Sequence, residues 1–331
     1  MSVLLPVRDA ETTLRECLDS LSRQTLSDHE VLAVDDGSRD GTGSLLRSHA
    51  EQDRRFRILP TPPRGVVASL HLALAAASGR LVARMDADDV AESDRLERQA
   101  SRLENDPGTD VLGCRVRLFG SPGHSNLGMR SYVAWLNESL THEEIVRDIW
   151  VESPLAHPSV MMRTATLLSL GGYRGFDGPE DYDLWLRCHA RRLRFAKLPE
   201  VLLSWRDAPG RLTRRDPRYS AERFRALKIE ALEARLLGPA GRAVVWGAGP
   251  VGKAWARSLR SRGHEIVAFV EVDPRKIGKR IHGAPVLGVG EAGLKGPLHL
   301  AAVGQTGARE RIRSASAALG LVEGLDLVAV A

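Results

Sequence analysis

Asp86 and Asp88 form the sharpest chemical signal in the sequence, because they directly follow an apolar run at residues 81–85. Two carboxylates at positions i and i+2 beyond a strand can hold a hard divalent cation together with phosphate oxygens. Aspartate is also frequent in surface turns, and for an isolated pair a turn is the more common explanation. The apolar run and a second acidic pair, Asp35 and Asp36, favour a metal and phosphate site here.

Acids and aromatic rings are combined at residues 179–185, which read PEDYDLW. A proline followed by acids is typical of the first turn of a helix, where the helix dipole stabilises carboxylates. That structural role accounts for one acid, but not for three acids beside two rings. A carboxylate whose ionised form is stabilised in this way suits a general base. Tyr182 and Trp185 are predicted to stack on the face of a sugar.

Asp36 lies in the stretch DDGSRDGT, which also has an ordinary explanation as a turn that precedes a helix. Its carboxylate can accept a hydrogen bond from the N3–H of uracil or thymine, whereas cytosine has no such donor and guanine offers an N–H of its own. Asp36 is therefore interpreted as a contact to a nucleobase, with uridine or thymidine nucleotides favoured.

Strand and helix patterns alternate around these residues. Short apolar runs at residues 2–7, 30–34, 56–59 and 81–85 predict strands, and residues 66–77 predict an apolar helix. This alternation predicts an α/β fold with a mostly parallel sheet covered on both faces.

The residues after Asp9 predict an amphipathic helix, with Asp9 as its N-cap. Its apolar residues recur at helical spacing: Leu14, Cys17, Leu18 and Leu21. Ligands of open parallel sheets bind beyond the carboxyl ends of the strands. Residues 6–8, 35–36 and 86–88 are therefore expected along one edge of the sheet.

A second α/β unit is predicted after residue 238. Before it, Asp216 and Pro217 predict the N-cap and first residue of a helix that ends at Gly238. The apolar positions of that helix are expected to form one buried face: Phe224, Leu227, Ala231 and Ala234. Strands are predicted at residues 243–246, 265–270 and 299–303, with a helix at 309–319.

Gly247, Gly249 and Gly252 fit the pattern G-x-G-x-x-G between a strand and a helix, as in dinucleotide-binding folds. Glu271, 24 positions after Gly247, would bind ribose hydroxyls in such a site. The unit is short and shows no catalytic base. A dimerising or docking module is therefore the favoured interpretation, followed by nucleotide or nucleotide-sugar binding, with NAD-dependent redox chemistry least favoured.

Composition places the chain among ordinary globular proteins, with 331 residues, 43% hydrophobic and 27% charged. That length predicts two domains, and no apolar run is long enough to span a membrane.

Only six of the 47 basic residues are lysine, and the arginines are scattered, so nucleic-acid binding is not expected. An anionic small molecule or an anionic membrane surface is left open as a partner. Three widely separated cysteines predict neither a disulfide framework nor a zinc site, and favour the cytoplasm: Cys17, Cys114 and Cys188.

Five stretches together resemble family 2 glycosyltransferases of the GT-A fold over residues 2–215: VLLPVRDAETTLRECLDSLSRQT, EVLAVDDGSRDGT, ARMDADDVAESDRLERQ, HPSVMMR and GGYRGFDGPEDYDLWLR. The resemblance implies inverting transfer of a hexosyl or related sugar, with Mg²⁺ or Mn²⁺, from a nucleoside diphosphate donor to a hydroxyl of a glycan or lipid-linked acceptor. The implied setting is bacterial cell-surface polysaccharide assembly, with peripheral contact to the inner face of the cytoplasmic membrane left open.

The same resemblance implies roles for particular residues. Asp88 would bind the metal, Asp86 would approach the metal or the ribose, and Asp181 would be the catalytic base with Glu180 beside it. The remaining nucleotide contacts would be Pro6, Val7, Arg8, Glu11 and Asp36. Positions facing the acceptor or the diphosphate would be His157, Trp185 and Arg206.

The chain departs from the family at two places. His71 stands where the family usually has asparagine, and the tail DAPGRLTRR replaces a histidine-containing segment after Arg206. Arg211 or Arg214 would then act at the diphosphate. The predicted domains are residues 1–215, a linker helix at 216–238, and residues 239–331. This last domain is similar to the small Rossmann-like domain of bacterial sugar acyltransferases, and a homodimer through it is left open.

Three other functions were weighed. A nucleotidyltransferase would need a glycine-rich loop after the first strand, and residues 6–10 contain no glycine. An NAD-dependent sugar-nucleotide-modifying enzyme would use residues 247–252. A non-catalytic sugar-nucleotide sensor would bind a donor without turnover.

Overall fold

The computed structural model describes residues 1–120, 127–208 and 210–331. These residues form two compact units. Unit 1 comprises Met1–Ile145 and Pro154–Arg218, and unit 2 comprises Val146–Ser153 and Tyr219–Ala331. This division places the helix predicted as a linker in unit 2, together with a short segment from the middle of the chain.

Unit 1 is built on an eight-stranded sheet of order β3-β2-β1-β4-β7-β6-β8-β5. Its strands are β1 (Ser2–Val7), β2 (Glu30–Asp36), β3 (Phe56–Thr61), β4 (Leu81–Arg84), β5 (Val90–Ala91), β6 (Val111–Phe119), β7 (Met161–Arg163) and β8 (Phe195–Arg206). Its helices are α1 (Leu14–Ser22), α2 (Thr42–Gln52), α3 (Val66–Ala76), α4 (Arg95–Asn105), α5 (Leu127–Glu138), α6 (His142–Asp148), α7 (Thr164–Ser169), α8 (Glu180–Ala190) and α9 (Leu212–Arg215).

The first four strands pair in parallel around β1, while β7 and β5 run antiparallel to their neighbours. The predicted mostly parallel sheet is therefore confirmed. Because β1, β2 and β4 are parallel neighbours, their carboxyl ends lie at the same edge, as expected for residues 6–8, 35–36 and 86–88.

Helix α1 buries the apolar stripe that its spacing predicts: Leu14, Cys17, Leu18 and Leu21 are each at most 2% exposed. The predicted N-cap, however, is wrong. The helix begins at Leu14, and Asp9 has a left-handed backbone with φ 46°. The Asp9 carboxylate instead accepts a hydrogen bond from the backbone N–H of Arg39 at 2.8 Å.

Unit 2 has a six-stranded sheet of order β11-β12-β10-β9-β13-β14. Its elements are α10 (Ala221–Leu232), which continues as a π-helical turn at Glu233–Leu237, β9 (Arg242–Trp246), α11 (Pro250–Ser261), β10 (Glu265–Val270), β11 (Arg280–Ile281), β12 (Ala284–Leu287), β13 (Leu298–Ala301), α12 (Ala308–Ala318) and β14 (Leu327–Ala329). All of its strand pairs except β11–β12 are parallel, which confirms a second α/β unit.

Helix α10 differs from its prediction at both its start and its buried face. Ser220 is the N-cap and accepts the backbone N–H of Arg223, while Asp216 pairs with Arg218 at 2.6 Å. The buried residues of α10 are Leu227, Lys228, Ile229 and Leu232, whereas Ala234 is exposed.

Within the described residues, no helix combines the length and apolarity that crossing a bilayer requires. The three cysteines are free and buried.

Candidate active site

The loops after β1 and β2 are joined by hydrogen bonds between each other's backbone and side chains. The N–H of Ala10 donates to Thr42 Oγ1 at 2.8 Å, and the N–H of Gly41 donates to Glu11 Oε2 at 3.0 Å. Glu11, predicted to contact the nucleotide, therefore also fixes the second loop. Pro6 and Val7 end β1 in register with the end of β2.

Asp36 is buried at the carboxyl end of β2. Its carboxylate accepts the backbone N–H of Arg64 at 2.7 Å and of Gly65 at 3.0 Å, and Arg8 Nη1 lies 3.5 Å from it. A carboxylate offers about four acceptor positions, so Asp36 keeps capacity for one further donor such as a base N–H. The structure thus joins Arg8 and Asp36, two of the predicted nucleotide contacts.

Beyond β4, Asp86, Asp88 and Asp89 bring three carboxylate oxygens within 4.8 Å of one another. Asp89 is only 1% exposed; its Oδ1 accepts the backbone N–H of Arg206 at 2.8 Å. Its Oδ2 is buried and has no hydrogen-bond partner among the described residues. Asp89 was not among the predicted ligands, although the third aspartate of DADD is visible in the sequence.

The electrostatics of this cluster suit a cation. Burial, and then the charge of Asp86, raise the pKa of Asp88 to about 6. Burial and the neighbouring carboxylates also raise the pKa of Asp89. A hard divalent cation would compensate these charges and use the unpartnered oxygen of Asp89, so the residues present fit such a metal.

Beneath the cluster lies Arg84, a site residue that the sequence analysis missed. Arg84 is 5% exposed, and its Nη2 donates to Asp86 Oδ1 at 2.6 Å. Burial alone would lower the pKa of Arg84, but the charge of Asp86 and its hydrogen bond to Arg84 raise it, and the charge of Glu180 contributes in the same direction. Arg84 therefore connects the metal-binding acids electrostatically with the first residue of α8.

Helix α8 begins at Glu180, as the proline and acids before it predict. Glu180 is buried, whereas Asp181 is partly exposed and its Oδ1 accepts the neighbouring Tyr182 N–H at 2.7 Å. Both carboxylate oxygens of Asp183 form ion pairs, Oδ1 with Arg174 Nη1 at 3.0 Å and Oδ2 with Arg187 Nε at 2.7 Å. Of the three acids, Asp181 is thus the most accessible to a substrate.

The aromatic and histidine rings that were expected to face the acceptor are buried, so an acceptor cannot contact them. Tyr182 and Trp185 are fully buried, so the prediction that they stack on a sugar is wrong. Their spacing of three places both on the core side of α8. His157 is also buried: its Nε2 lies 3.1 Å from the hydroxyl of Tyr173, and its ring contacts Trp185 edge-on. Burial and Arg84 lower the pKa of His157, so it is neutral and acts as a packing residue.

Arg206 closes the other side of the acidic cluster. Its Nε donates to the carbonyl of Asp88 at 2.7 Å, and its guanidinium pairs with Glu16 and lies 4.3 Å from the ring centre of Phe119. His71, the departure from the family pattern, bonds through Nε2 to the carbonyl of Tyr173 at 2.5 Å.

In unit 2, the glycine-rich loop has the geometry that its sequence predicts. Gly247 has φ +101°, and a Cβ at Gly252 would lie 1.8 Å from the carbonyl oxygen of Gly247. Glu271 Oε2 accepts the N–H of Ala248 at 3.1 Å and pairs with Lys276 at 2.9 Å. The carboxylate of Glu271 therefore already binds the loop. Binding of a nucleotide by this loop and Glu271 stays a prediction, with the residues Gly247, Gly249, Gly252 and Glu271.

Two solved structures share their fold with most of this chain. Staphylococcus aureus TarS 1-349, solved with UDP-GlcNAc, matches with a TM-score of 0.55 and 19% identity, over 70% of this chain and 66% of that one. The mannosyltransferase PcManGT of Pyrobaculum calidifontis, solved with GDP-Man and Mn²⁺, matches with a TM-score of 0.50 and 22% identity, over 70% and 61%. At such identities the likeness shows the GT-A fold alone.

Sequence comparison adds the family. The amylovoran biosynthesis glycosyltransferase AmsE of Erwinia amylovora is 29% identical over 217 residues, which cover 65% of this chain and 79% of AmsE. The sequence model described as "Glycosyl transferase family 2" matches residues 2–168, half of the chain. With the acidic cluster at the edge of a GT-A sheet, this chain belongs to glycosyl transferase family 2.

Proposed function

We propose that this protein is an inverting, metal-dependent glycosyltransferase that moves a sugar from a nucleoside diphosphate donor to an acceptor hydroxyl. The observation that carries the proposal is the cluster of Asp86, Asp88 and Asp89, connected through Arg84 to the acids that open α8. Direct inversion needs a cationic site for the leaving group and a separate base for the nucleophile, and these two clusters supply both.

Asp86, Asp88 and Asp89 would hold Mg²⁺ or Mn²⁺. When bound, such an ion neutralises charge that develops on the departing diphosphate. Asp181 accepts the proton of the attacking hydroxyl, because it is the accessible acid in the first turn of α8, where a helix dipole favours negative charge. The buried Glu180 lies beside it, and its negative charge interacts favourably with the guanidinium of Arg84.

Asp36 supports a uridine or thymidine donor, since its carboxylate can accept the N3–H of uracil or thymine. The fold does not decide the base: TarS was solved with UDP-GlcNAc and PcManGT with GDP-Man. The name of AmsE, an amylovoran biosynthesis glycosyltransferase, supports a role in polysaccharide biosynthesis. For this chain the proposed acceptor is a glycan or a lipid-linked sugar.

The test is incubation of the full chain with Mn²⁺ and a panel of UDP-, dTDP- and GDP-sugars, followed by measurement of nucleoside diphosphate release. We expect release from at least one uridine or thymidine donor, lost on chelation of the metal. With an acceptor, NMR should show the opposite anomeric configuration in the product.

No release from any donor, or consumption of NADH in place of donor turnover, would contradict the proposal. Release confined to GDP-sugars would leave the transferase activity in place and refute the role of Asp36.

A further inference from the structure

Three arginines follow β8 close to the acidic cluster, and the structure distinguishes them by their partners. Arg206 pairs with Glu16 and donates to the carbonyl of Asp88. Arg214 Nη2 pairs with the buried Asp207 at 2.6 Å. Arg211 forms no ion pair with any carboxylate of the described residues. It is the one guanidinium of the three whose charge is not already matched.

Arg211 is nevertheless held in place. Its guanidinium lies 4.3 Å from the ring centre of Trp205, and its Nη1 donates to the carbonyl of Arg206 at 3.4 Å. Stacking on an aromatic face orients a guanidinium without using its N–H donors. Most of the five N–H groups of Arg211 therefore stay available to a ligand.

The charge of Arg211 acts on the metal-binding acids. Arg211 Nη1 donates to the carbonyl of Arg206, whose own Nε donates to the carbonyl of Asp88 at 2.7 Å. From this position the charge of Arg211 attracts the carboxylates of Asp88 and Asp89. An unmatched cation that faces a cation-binding acidic cluster fits a ligand with negative charge beyond what one divalent ion neutralises.

We propose that Arg211 binds the diphosphate of the donor and stabilises the departing nucleoside diphosphate, an inference that rests on the proposed function. In the transfer, the bond between the anomeric carbon and the β-phosphate oxygen breaks, and its electron pair stays on that oxygen. The acceptor oxygen bonds to the anomeric carbon and passes its proton to Asp181. Arg211 donates hydrogen bonds to the β-phosphate, whose charge increases during this step.

The test compares UDP with UMP by calorimetry in Mn²⁺, using the full chain. Arg211→Met is expected to weaken UDP binding about 10- to 100-fold, the usual worth of a charge-assisted hydrogen bond, and to change UMP binding less than about twofold. Arg215→Met is the matched control, because Arg215 is an exposed arginine of the same short helix, α9, and has no assigned role in the site; it should leave both ligands unchanged. Arg211→Lys should give an intermediate loss for UDP.

Wild-type affinity for UDP in Arg211→Met, or an equal loss for UDP and UMP, would overturn the assignment and leave the proposed function intact. An equal or larger loss of UDP affinity in Arg215→Met would also overturn it. If the wild-type chain binds none of UDP, dTDP and GDP, both the assignment and the proposed function fail. If GDP is the tightest of the three, GDP and GMP serve as the pair.

Discussion

The acids of the candidate site differ in their burial and in the hydrogen-bond partners of their oxygens. Asp183 is buried with both oxygens paired with arginines, so it holds the chain around α8 in place, whereas the buried Asp36 binds loop N–H groups and keeps capacity for one further donor. Asp89 is buried with one oxygen unpartnered among the described residues. Asp181 stays partly exposed at a helix end. Identical side chains thus take different roles because their surroundings differ.

Asp88→Ala is expected to abolish metal-dependent binding of the nucleoside diphosphate, because an apolar side chain cannot replace a carboxylate ligand of a hard cation. Calorimetry with UDP, with and without Mn²⁺, measures the effect. Asp94→Ala is a suitable control, since Asp94 is partly exposed and pairs with Arg98. An Asp88→Ala protein that remains active without added metal would refute the metal site.

Asp181→Asn is expected to keep donor and metal binding but to slow transfer by roughly 10²–10⁴-fold, the usual contribution of a general base. Single-turnover kinetics and calorimetry on the same preparation separate the two effects. Loss of nucleotide binding in this variant would give Asp181 a different role.

The sequence predicted the positions of the acidic side chains better than those of the aromatic rings. Arg8 with Asp36 and Asp86 with Asp88 come together because they end neighbouring parallel strands, and strand ends can be read from apolar runs. The prediction that Tyr182 and Trp185 stack on a sugar was wrong. It rested on the acids beside them, whereas their helical spacing places both rings in the core. Arg84 was missed because an arginine inside a strand gives no sign that it is buried under an acidic cluster.

At the element scale, strand ends were the least predictable feature. The strand predicted at residues 30–34 continues through Asp35 and Asp36, because pairing with Val7 of β1 and Thr61 of β3 extends the ladder past the last apolar residue. Similarly, α10 is capped by Ser220 and not by Asp216, because Asp216 accepts the backbone N–H of Arg218 at 3.0 Å and caps the separate 3-10 helix at Pro217–Tyr219. Such competition between nearby polar partners cannot be read from spacing.

Strand β8 carries Lys197, a buried lysine whose ammonium donates to the carbonyl of Leu136 and has no carboxylate at ion-pair distance among the described residues. Burial lowers the pKa of Lys197 to about 7, against an ordinary value of 10.5. Between these two pH values the unfolded chain binds more protons than the folded one, so this residue makes stability rise as pH increases.

Lys197→Met is therefore expected to raise the free energy of unfolding at pH 6, with the advantage shrinking by up to about 1.4 kcal/mol per pH unit above pH 7. Urea denaturation of both proteins at several pH values measures it. Lys228, also buried with a lowered pKa, titrates in both proteins and cancels in the difference. Parallel pH profiles would show that Lys197 is not a buried charged group.

Unit 1 is predicted to contain every residue that donor binding and sugar transfer require. All residues assigned to donor, metal and base lie in unit 1, whereas unit 2 includes residues 146–153. Within unit 2, the buried Asp148 pairs with Arg313 and Arg147, and Lys228 donates to the carbonyl of Val151 at 2.6 Å.

We expect residues 1–238 alone to retain donor binding and transfer, because every acid that the reaction needs precedes Arg206. This truncation loses Arg313, so a companion variant in the full chain is useful. Arg313→Met should lower stability by about 1–3 kcal/mol, moderated by the remaining Arg147, and leave transfer unchanged. A folded truncation that binds donor but does not transfer sugar would place part of the active site in unit 2.

Anomalous diffraction from crystals grown with Mn²⁺ and the tightest-binding nucleoside diphosphate would locate the metal and the nucleotide in one experiment. We expect a manganese peak bounded by Asp86, Asp88 and Asp89, with the diphosphate on the metal and the base beside Asp36. A nucleotide at residues 247–252 of unit 2, with no metal at the three aspartates, would contradict the proposed function.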